Sequence, residues 1–382
     1  MASTLKYLTK PGRILIHPSS SPLRVVCRNM CQSHEDVILE STKTVGVMML
    51  NRPQYLNALN LSMVNKILAA LNDWQETKAV VIMRALGQRA FCAGGDVKKV
   101  AEAAYIGDYN YGDEFFYREY KMNNLIGNLK IPYVTFMDGI TMGGGVGLAI
   151  HSNYRVATEN TLFAMPECRI GFFPDVGSSY VLPRMTGYLG LYLGLTGQRL
   201  KGPCVYHAGI ATHYVESKNL HKLEQELLLC SGHKDVKDTL DCFHKQTDEG
   251  KFILKPHLGM IDAVFCENEV EMIMTKLNMY REDSEWVQCV MKTLYDQCPT
   301  SLKVTTKAFY KGMTMNLDQC LNMELQMAKY AIRQPDFYEG IRAQLISKDN
   351  NPKFSPATIP EVTDEMVDAF FEDCTCTKYG KI

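Results

Sequence analysis

The chain has 382 residues, of which 46% are hydrophobic and 22% are charged, so it can bury a large core as an ordinary globular protein does. Its formal net charge of −1 at pH 7 gives no overall attraction to nucleic acid or to a membrane surface, so we expect neither as a partner. No apolar run approaches the ~18–20 residues of a membrane-spanning helix, so we expect a soluble protein. The 13 cysteines are odd in number and scattered, which favours reduced thiols in an intracellular compartment. They lack the spacing typical of zinc ligands, so we expect no metal.

The N-terminal 34 residues differ from the rest of the chain in charge. They contain no acidic residue, and Glu35 is the first acid. Their basic residues are Lys6, Lys10, Arg13, Arg24 and Arg28. A secretory signal would need a continuous apolar stretch, which is missing here. We therefore expect residues 1–34 to be a mitochondrial transit peptide and the protein to lie in the mitochondrial matrix; the alternative is a basic tail without a targeting role.

From residue 36 onward, strand patterns and helix patterns alternate along the chain. Apolar spacing predicts strands at 37–39, 45–50, 79–83, 131–137, 154–158 and 161–164, and helices over 61–76, 105–129, 145–152, 187–229, 262–280, 284–298 and 316–332. Residues 230–260 are polar and weakly patterned, which predicts a linker or a surface excursion. The alternation of strands and helices predicts an α/β core.

Two glycine turns interrupt this pattern, one over Phe91–Asp96 and one with four glycines between Gly143 and Gly147. Each follows a strand pattern and opens a helix pattern, and Asp96 is placed to cap or complement its helix. Neither turn fits a dinucleotide fingerprint or a phosphate loop. The glycines could simply allow close helix–strand packing. We favour a second interpretation, in which the two turns aim two backbone N–H groups at one oxygen that becomes negative during attack on a carbonyl.

Two carboxylates follow in an apolar setting, Glu167 and Asp175, each directly after a proline. Apolar neighbours raise the pKa of a carboxyl group toward the range useful for acid–base chemistry. The alternative is that both are solvated or capping groups. Other candidate bases are His151, His207 and His213, but no serine or cysteine motif accompanies them. Cys92 has an apolar flank and no local histidine, which favours a packed thiol over a nucleophile.

Several of these stretches together resemble the crotonase, or enoyl-CoA hydratase/isomerase, superfamily. They are Asn57–Leu59, Phe91–Asp96, Gly139–Gly147 and Met165–Glu167. Within that superfamily, three further stretches resemble the 3-hydroxyisobutyryl-CoA hydrolase family. They are Gly171–Gly177, Leu193–Gly202 and Asp336–Ala343. The resemblance covers about residues 36–365, and the joint set of motifs is far more specific than any one of them.

The resemblance implies a spiral of ββα units over residues 35–230 and a mainly helical C-terminal region over 231–382 that completes the fold. It assigns the oxyanion donors to the N–H groups of Gly95 and Gly144, and the catalytic carboxylates to Glu167 and Asp175. Glu119 matches a substrate-contacting position that could meet a substrate hydroxyl, so Glu119, Gly144, Glu167 and Asp175 are the expected substrate contacts. The CoA moiety is expected near Asn57, Ala58, Leu59, Gly94 and Asp96.

The same resemblance implies an acyl-CoA thioester as substrate, no cofactor besides the CoA of that substrate, and a homo-oligomer unless the long C-terminal region blocks such contacts. A hydratase generally carries a glutamate at the position of Gly147, whereas this chain has Asp175 where hydratases tend to have glycine. The implied reaction is hydrolysis of 3-hydroxyisobutyryl-CoA to 3-hydroxyisobutyrate and CoA in valine breakdown, with Glu167 as nucleophile or general base. The alternatives are an enoyl-CoA hydratase or isomerase, and a non-catalytic acyl-CoA-binding homologue.

Overall fold

The computed structural model describes residues 35–282, 284–372 and 379–382. The expected transit peptide, residues 1–34, lies outside the described residues. Every cysteine in the described part of the chain is free, as expected for reduced thiols. Among the described residues, no helix is both long and apolar enough to cross a membrane.

Ten strands in the described residues form two sheets. The strands are β1 (Val37–Ser41), β2 (Val45–Leu50), β3 (Val80–Ala85), β4 (Ala90–Cys92), β5 (Tyr133–Met137), β6 (Ile140–Met142), β7 (Tyr154–Ala157), β8 (Leu162–Ala164), β9 (Leu200–Lys201) and β10 (His213–Tyr214). The larger sheet has the order β1-β2-β3-β5-β7-β10 and the smaller one β4-β6-β8-β9. From β3 to β8 the chain therefore visits the two sheets in turn, which is the spiral that the family resemblance implied.

Sixteen α-helices of the described residues complete the fold. They are α1 (Leu61–Thr77), α2 (Val97–Tyr105), α3 (Tyr109–Asn128), α4 (Gly144–Ile150), α5 (Ser178–Val181), α6 (Leu189–Thr196), α7 (Pro203–His207), α8 (Leu220–Leu227), α9 (His233–Phe243), α10 (Leu258–Phe265), α11 (Val270–Met279), α12 (Glu285–Tyr295), α13 (Pro299–Gly312), α14 (Leu317–Ala331), α15 (Pro335–Ile341) and α16 (Asp364–Asp368). From residue 215 onward the described chain has helices and no further strand, which confirms a helical C-terminal region.

The larger sheet is buried on both faces, and β2 shows why its sequence has no polar alternation. All six residues of β2 are buried. Met48 packs into the cluster that α1 and α3 share, whereas Val47 and Met49 pack into a second cluster with α8 and α9. Neighbouring residues of a strand face opposite sides, so a sheet covered on both faces needs a continuous apolar run.

Two sequence predictions were wrong. The predicted helix over 187–229 consists of three short helices, α6 to α8, separated by the two-residue strands β9 and β10. The predicted linker over 230–260 contains α9, whose residues Val236 and Leu240 are fully buried against the larger sheet. A helix with only two buried residues one turn apart gives a weak periodic signal, and a two-residue strand exists only through its pairing with a distant strand. The boundary between core and C-terminal region at residue 230 stays a prediction.

Candidate active site

The smaller sheet brings the two glycine turns together. Strands β4 and β6 pair in parallel, so the turns that follow them leave the same edge of the sheet side by side. The second turn therefore follows the short strand β6, and not the strand over 131–137 as the sequence suggested. Parallel neighbours end at a common edge, and this pairing is what allows two distant N–H groups to share one target.

Strand-like pairing also explains the direction of the Gly95 N–H group. Leu59 forms an isolated parallel bridge with Gly95, in which it donates to the carbonyl of Gly94 and accepts from the N–H of Asp96. Along extended backbone, successive N–H groups point to opposite sides, so the Gly95 N–H points away from Leu59. A Cβ built on Gly144 would lie 3.0 Å from the Gly95 nitrogen, which shows that the two turns are in contact there.

The Gly144 N–H opens helix α4 and belongs to the first turn, whose N–H groups have no acceptor within the helix. Glycine is required around it for space. A Cβ on Gly144 would collide with Oε1 of Glu119, and a Cβ on Gly143 would lie 2.9 Å from Oε1 of Glu167. Gly143 also has a φ of 48°, which glycine adopts without strain. The turn is therefore built for close approach of carboxylates and a ligand to the backbone.

Three carboxylates from distant segments meet the two turns in one pocket of about 400 Å³. Glu119 comes from α3, Glu167 from a short 3₁₀ helix after β8, and Asp175 from the loop before α5. Their exposed fractions are only 1%, 6% and 5%. The pocket is also lined by Gly94, Gly95, Gly144, Phe115, Phe116, Phe172, Met142 and Ile170. All the residues predicted to contact the acyl group thus line the same cavity.

Burial raises the pKa of all three carboxyl groups, and mutual repulsion adds to the rise for Glu119 and Glu167. Burial, followed by the negative charges of Asp175 and Glu167, raises the pKa of Glu119 well above its usual range. Burial and the charge of Asp175 raise the pKa of Glu167 in the same way. Burial raises the pKa of Asp175 to about 7, although a hydrogen bond from Tyr120 opposes that rise. Charges close together in an apolar cavity cannot all ionise at once, so the pocket can both donate and accept protons near neutral pH.

Two carboxyl oxygens in the pocket are left for a ligand. Oε1 of Glu119 and Oε2 of Glu167 are buried and have no hydrogen-bond partner among the described residues. Asp175 differs, because its Oδ2 accepts a hydrogen bond of 2.6 Å from the hydroxyl of Tyr120. Buried polar atoms in native proteins are nearly always paired, so unpaired ones that line a cavity indicate a site for substrate or water. The arrangement can bind a carbonyl oxygen on two N–H groups and present carboxylates to the same group.

Sequence reasoning missed Tyr120, which lies beside the predicted Glu119 on α3. The tyrosine is fully buried, and its phenol is the sole side-chain hydrogen-bond partner of Asp175 within the described residues. It also missed Gln344, whose buried Nε2 has no partner in the described part of the chain and which lines the pocket. The sequence carries a weak signal for Tyr120, since it sits in an aromatic helix beside the acid. The signal for Gln344 is equally weak, since it directly follows the family-like stretch that ends at Ala343 but lies 177 positions after Glu167.

The residues expected near CoA have mixed positions. Gly94 lines the pocket, whereas Asn57 is buried and its side chain forms hydrogen bonds with backbone groups. Its Nδ2 donates to the carbonyls of Leu86 and Ala90, and its Oδ1 accepts from the N–H of Arg52. Leu59 is likewise fully buried. CoA contacts by residues 57–59, Ala58 included, stay a prediction. Because the side chains of Asn57 and Leu59 are buried, a contact of either residue with CoA would have to come from its backbone.

Asp96 does not cap α2 with its side chain, so that part of the prediction was wrong. Its carboxylate forms an ion pair of 3.3 Å with Arg52, whose guanidinium also donates to the carbonyl of Ala58. The pair ties the first glycine turn to the segment before α1. A contact of Asp96 with CoA stays a prediction.

The other candidate bases and nucleophile lie outside the pocket lining. Burial lowers the pKa of His151 to about 4, and its ring Nε2 contacts the carbonyl of Val176 at 2.7 Å, so it is a neutral donor. His207 bonds to Thr247, and His213 contacts Asp241. Burial raises the pKa of Cys92 to about 12, which makes it a packed thiol and a poor nucleophile at neutral pH.

Paired backbone donors and buried carboxylates in one apolar cavity define an enzyme site for reactions at a carbonyl group. Comparison with known proteins makes this specific. Residues 45–371 match the family model described as enoyl-CoA hydratase/isomerase, and the chain belongs to that family. The fold class expected from the sequence is thereby confirmed.

Among curated relatives, the chain is 46% identical over 343 residues to a Xenopus tropicalis protein named "3-hydroxyisobutyryl-CoA hydrolase, mitochondrial", covering 88% of each chain. It is 43% identical over 345 residues to the Homo sapiens protein of the same name, covering 88% of this chain and 89% of that one. A solved carnitinyl-CoA dehydratase from Mycobacterium thermoresistibile matches with a TM-score of 0.83 at 33% identity, over 90% of this chain and 98% of that one. A solved enoyl-CoA hydratase from Rhodobacter sphaeroides matches with a TM-score of 0.80 at 33% identity, over 88% of this chain and 97% of that one.

Proposed function

We propose that this protein hydrolyses 3-hydroxyisobutyryl-CoA to 3-hydroxyisobutyrate and CoA. The proposal is supported by curated relatives of that name at 43–46% identity over about nine-tenths of the chain. The observation that carries it is in the pocket, where the buried Glu167 has an unpaired oxygen beside the two glycine turns. A carboxylate beside an oxyanion site is what hydrolysis of a thioester requires.

In the proposed reaction, the thioester carbonyl oxygen accepts hydrogen bonds from the N–H groups of Gly95 and Gly144. These donors stabilise the negative charge that forms when the carbonyl carbon is attacked, and losing one such donor typically costs ~10²–10³ in rate. The C–S bond then breaks, and the CoA thiolate leaves and takes up a proton. The apolar walls around this step, formed by Phe115, Phe116 and Phe172, keep bulk water from weakening those hydrogen bonds.

Glu167 can act in two ways. It can attack the carbonyl carbon and form an anhydride that water then opens, or it can take a proton from water as the water attacks. Asp175 orients the water or the substrate hydroxyl, and the unpaired Oε1 of Glu119 accepts a hydrogen bond from the hydroxyl. A single turnover in oxygen-labelled water tests the anhydride route. Label in the Glu167 side chain establishes the anhydride, because a general base keeps its own oxygens. Unlabelled Glu167 shows that water attacked the substrate's acyl carbon, either directly or by opening the anhydride at that carbon.

Hydration of an enoyl-CoA is the second candidate, because the solved structures at 33% identity carry hydratase and dehydratase names. The surroundings of Gly147 weigh against it. A Cβ at that position would lie 2.7 Å from Cβ of Val176 and 2.8 Å from Nδ2 of Asn123, so a glutamate side chain does not fit without displacing both. The site then has no glutamate at position 147, where a hydratase generally carries one of its two.

The proposal also includes the mitochondrial matrix as location. Its support is the mitochondrial names of the curated relatives together with the basic, acid-free composition of residues 1–34. We further propose that no cofactor or metal takes part, since the pocket's own carboxylates and N–H groups supply the acid–base and electrostatic chemistry that hydrolysis needs. A homo-oligomer remains an expectation from the superfamily.

The experiment that tests the function measures release of free thiol from 3-hydroxyisobutyryl-CoA by the purified protein. We expect steady release by the wild type and a loss of at least ~10³-fold in Glu167→Gln, which removes the nucleophile or base. Glu102→Gln is the matched control, because Glu102 is 59% exposed on the surface of α2. Crotonyl-CoA serves as the competing substrate. If the wild type hydrates crotonyl-CoA and releases no thiol from the hydroxyacyl thioester, the hydrolase proposal is refuted in favour of the hydratase.

A further inference from the structure

A fourth buried carboxylate lies behind the pocket, on a helix of the C-terminal region. Glu324 of α14 is fully buried and does not belong to the pocket lining. Its Oε2 accepts a hydrogen bond of 2.6 Å from the N–H of Gly177, and its Oε1 accepts bonds of 2.8 Å and 2.5 Å from the N–H and the hydroxyl of Ser179. All three donors belong to the segment that begins two residues after Asp175.

The three donors define what Glu324 does chemically. Two backbone N–H groups and one hydroxyl stabilise an ionised carboxylate, which accepts on both oxygens and donates on neither. They oppose burial, which raises the pKa of Glu324 to about 8. Removing a charged acceptor from buried donors leaves those donors unpaired, and this costs more than an ordinary hydrogen bond. Glu324 thus fixes the segment far more tightly than packing alone.

That segment has an unfavourable backbone conformation. Val176 has a φ of 55°, in the left-handed region where a β-branched side chain is a genuine outlier. Such a residue is strained and persists only when its surroundings over-determine its conformation. The surroundings here are Glu324 on one side, and on the other the ring N–H of His151, which donates to the Val176 carbonyl at 2.7 Å. Strained residues of this kind cluster at functional sites.

The unusual turn decides where the preceding carboxylate points. Asp175 is directly before Val176, and its carboxyl group lies in the pocket within 2.6 Å of the Tyr120 hydroxyl. If Val176 relaxed to negative φ, the chain direction between Asp175 and Gly177 would change and the carboxyl group would leave this position. Only two peptide units separate Gly177, which Glu324 of α14 contacts, from Asp175 in the pocket, so a change in that contact can move the Asp175 side chain.

We propose that Glu324 is a positioning residue for Asp175. Its carboxylate holds the 176–179 turn in a strained conformation and thereby keeps the Asp175 side chain at the reacting group. The proposal rests on the hydrolase function for its activity readout, and it assigns to the C-terminal helical region a direct part in building the active site.

The decisive test is a double-mutant cycle between Glu324→Gln and Asp175→Asn, with kcat of thiol release as readout. Glutamine keeps the shape of the side chain but presents an NH₂ group to one of the donors. If Glu324 acts through Asp175, Glu324→Gln lowers kcat by at least ~10-fold in the wild type and by less than ~2-fold in the Asp175→Asn background. An equal loss in both backgrounds, or no loss in the wild type, overturns the proposal.

Two further variants separate positioning from general destabilisation. Ser179→Ala removes only the hydroxyl donor and keeps both N–H groups, so we expect a smaller loss of kcat, about 2–5-fold, in a protein that folds even if Glu324→Gln does not. Asp113→Asn is the matched control. It breaks an ion pair of 2.9 Å between Asp113 on α3 and Arg333, which lies two residues after the end of α14 and away from the turn. It should lower stability and leave kcat within ~2-fold of the wild type.

Amide hydrogen exchange tests the same idea independently of any activity. In Glu324→Gln, or in Ser179→Ala if the former does not fold, the peptide containing Gly177 and Ser179 should exchange at least ~10-fold faster, with no such change in Asp113→Asn. Unchanged exchange of this peptide refutes the positioning role. A wild type that releases no thiol refutes the hydrolase function alone, because the exchange result stands without it.

Discussion

The hydrogen bond between Tyr120 and Asp175 offers the sharpest test of how the pocket sets its pKa values. Replacing Tyr120 by phenylalanine deletes one hydroxyl and keeps the buried ring, which packs at a tilt against Phe116. The lost contact is a donor at 2.6 Å from a carboxylate, with both groups buried. Nothing else in the pocket needs to move.

The size of the effect follows from the charge of the acceptor. A buried hydrogen bond to a charged group is worth about 1.5–3 kcal/mol, and 1.36 kcal/mol corresponds to one pKa unit. The hydroxyl stabilises the ionised form of Asp175, whose pKa burial has already raised to about 7. Tyr120→Phe should therefore raise the pKa of Asp175 by a further ~1–2 units. At neutral pH most Asp175 side chains would then be protonated and unable to accept a proton or orient a water as an anion.

The assay is the pH dependence of kcat for thiol release. We expect the acid limb to move upward by about 1–2 pH units in Tyr120→Phe, with activity recovering at alkaline pH. Asp175→Asn should abolish this shift, because no carboxyl group remains to titrate. Tyr117→Phe on the same helix is the control, since Tyr117 stacks on Tyr379 and does not line the pocket. An acid limb that stays in place, or moves downward, would refute our account of the pocket.

Three further predictions concern residues around the same cavity. Gly144→Ala places a methyl group against Glu119 and 3.0 Å from the Gly95 nitrogen, so kcat/KM of thiol release should fall by ~10²–10³, while unchanged kinetics would exclude an oxyanion role. Glu119→Gln should raise the urea midpoint near pH 8. Folding raises the pKa of Glu119, so ionised Glu119 lowers the stability of the wild type once the pH exceeds the pKa of the unfolded state. The gain in urea midpoint from the substitution should therefore shrink toward about pH 4. A gain that is larger in acid contradicts this account. Gly147→Glu should lower the free energy of unfolding by ~1–3 kcal/mol. It should not create hydration of crotonyl-CoA, and a loss of enoyl absorbance in this variant would contradict the prediction.

The sequence alone determined the strongly patterned elements and most of the chemistry-bearing residues. Helix α1 followed from apolar residues at helical spacing, and its observed bounds, Leu61–Thr77, extend the prediction by one residue. Both glycine turns and the carboxylates at 167 and 175 were visible because glycine, proline and isolated acids stand out against an apolar background. The resemblance to a known family added Glu119, Gly95 and Gly144, which spacing alone would not have singled out.

The tertiary structure decided which of these residues meet and how they are held. The partners of Asp175 and of its turn are far away in the chain, Tyr120 at 55 positions and Glu324 at 147 positions from Gly177. Whether a buried carboxylate is paired, unpaired or repelled depends on such contacts, and no local pattern contains them. The same reason explains α9 and the two-residue strands β9 and β10, which exist through packing and pairing with distant segments. Sequence determines what a segment can form locally, whereas burial and long-range contacts decide its charge state, its conformation and its role.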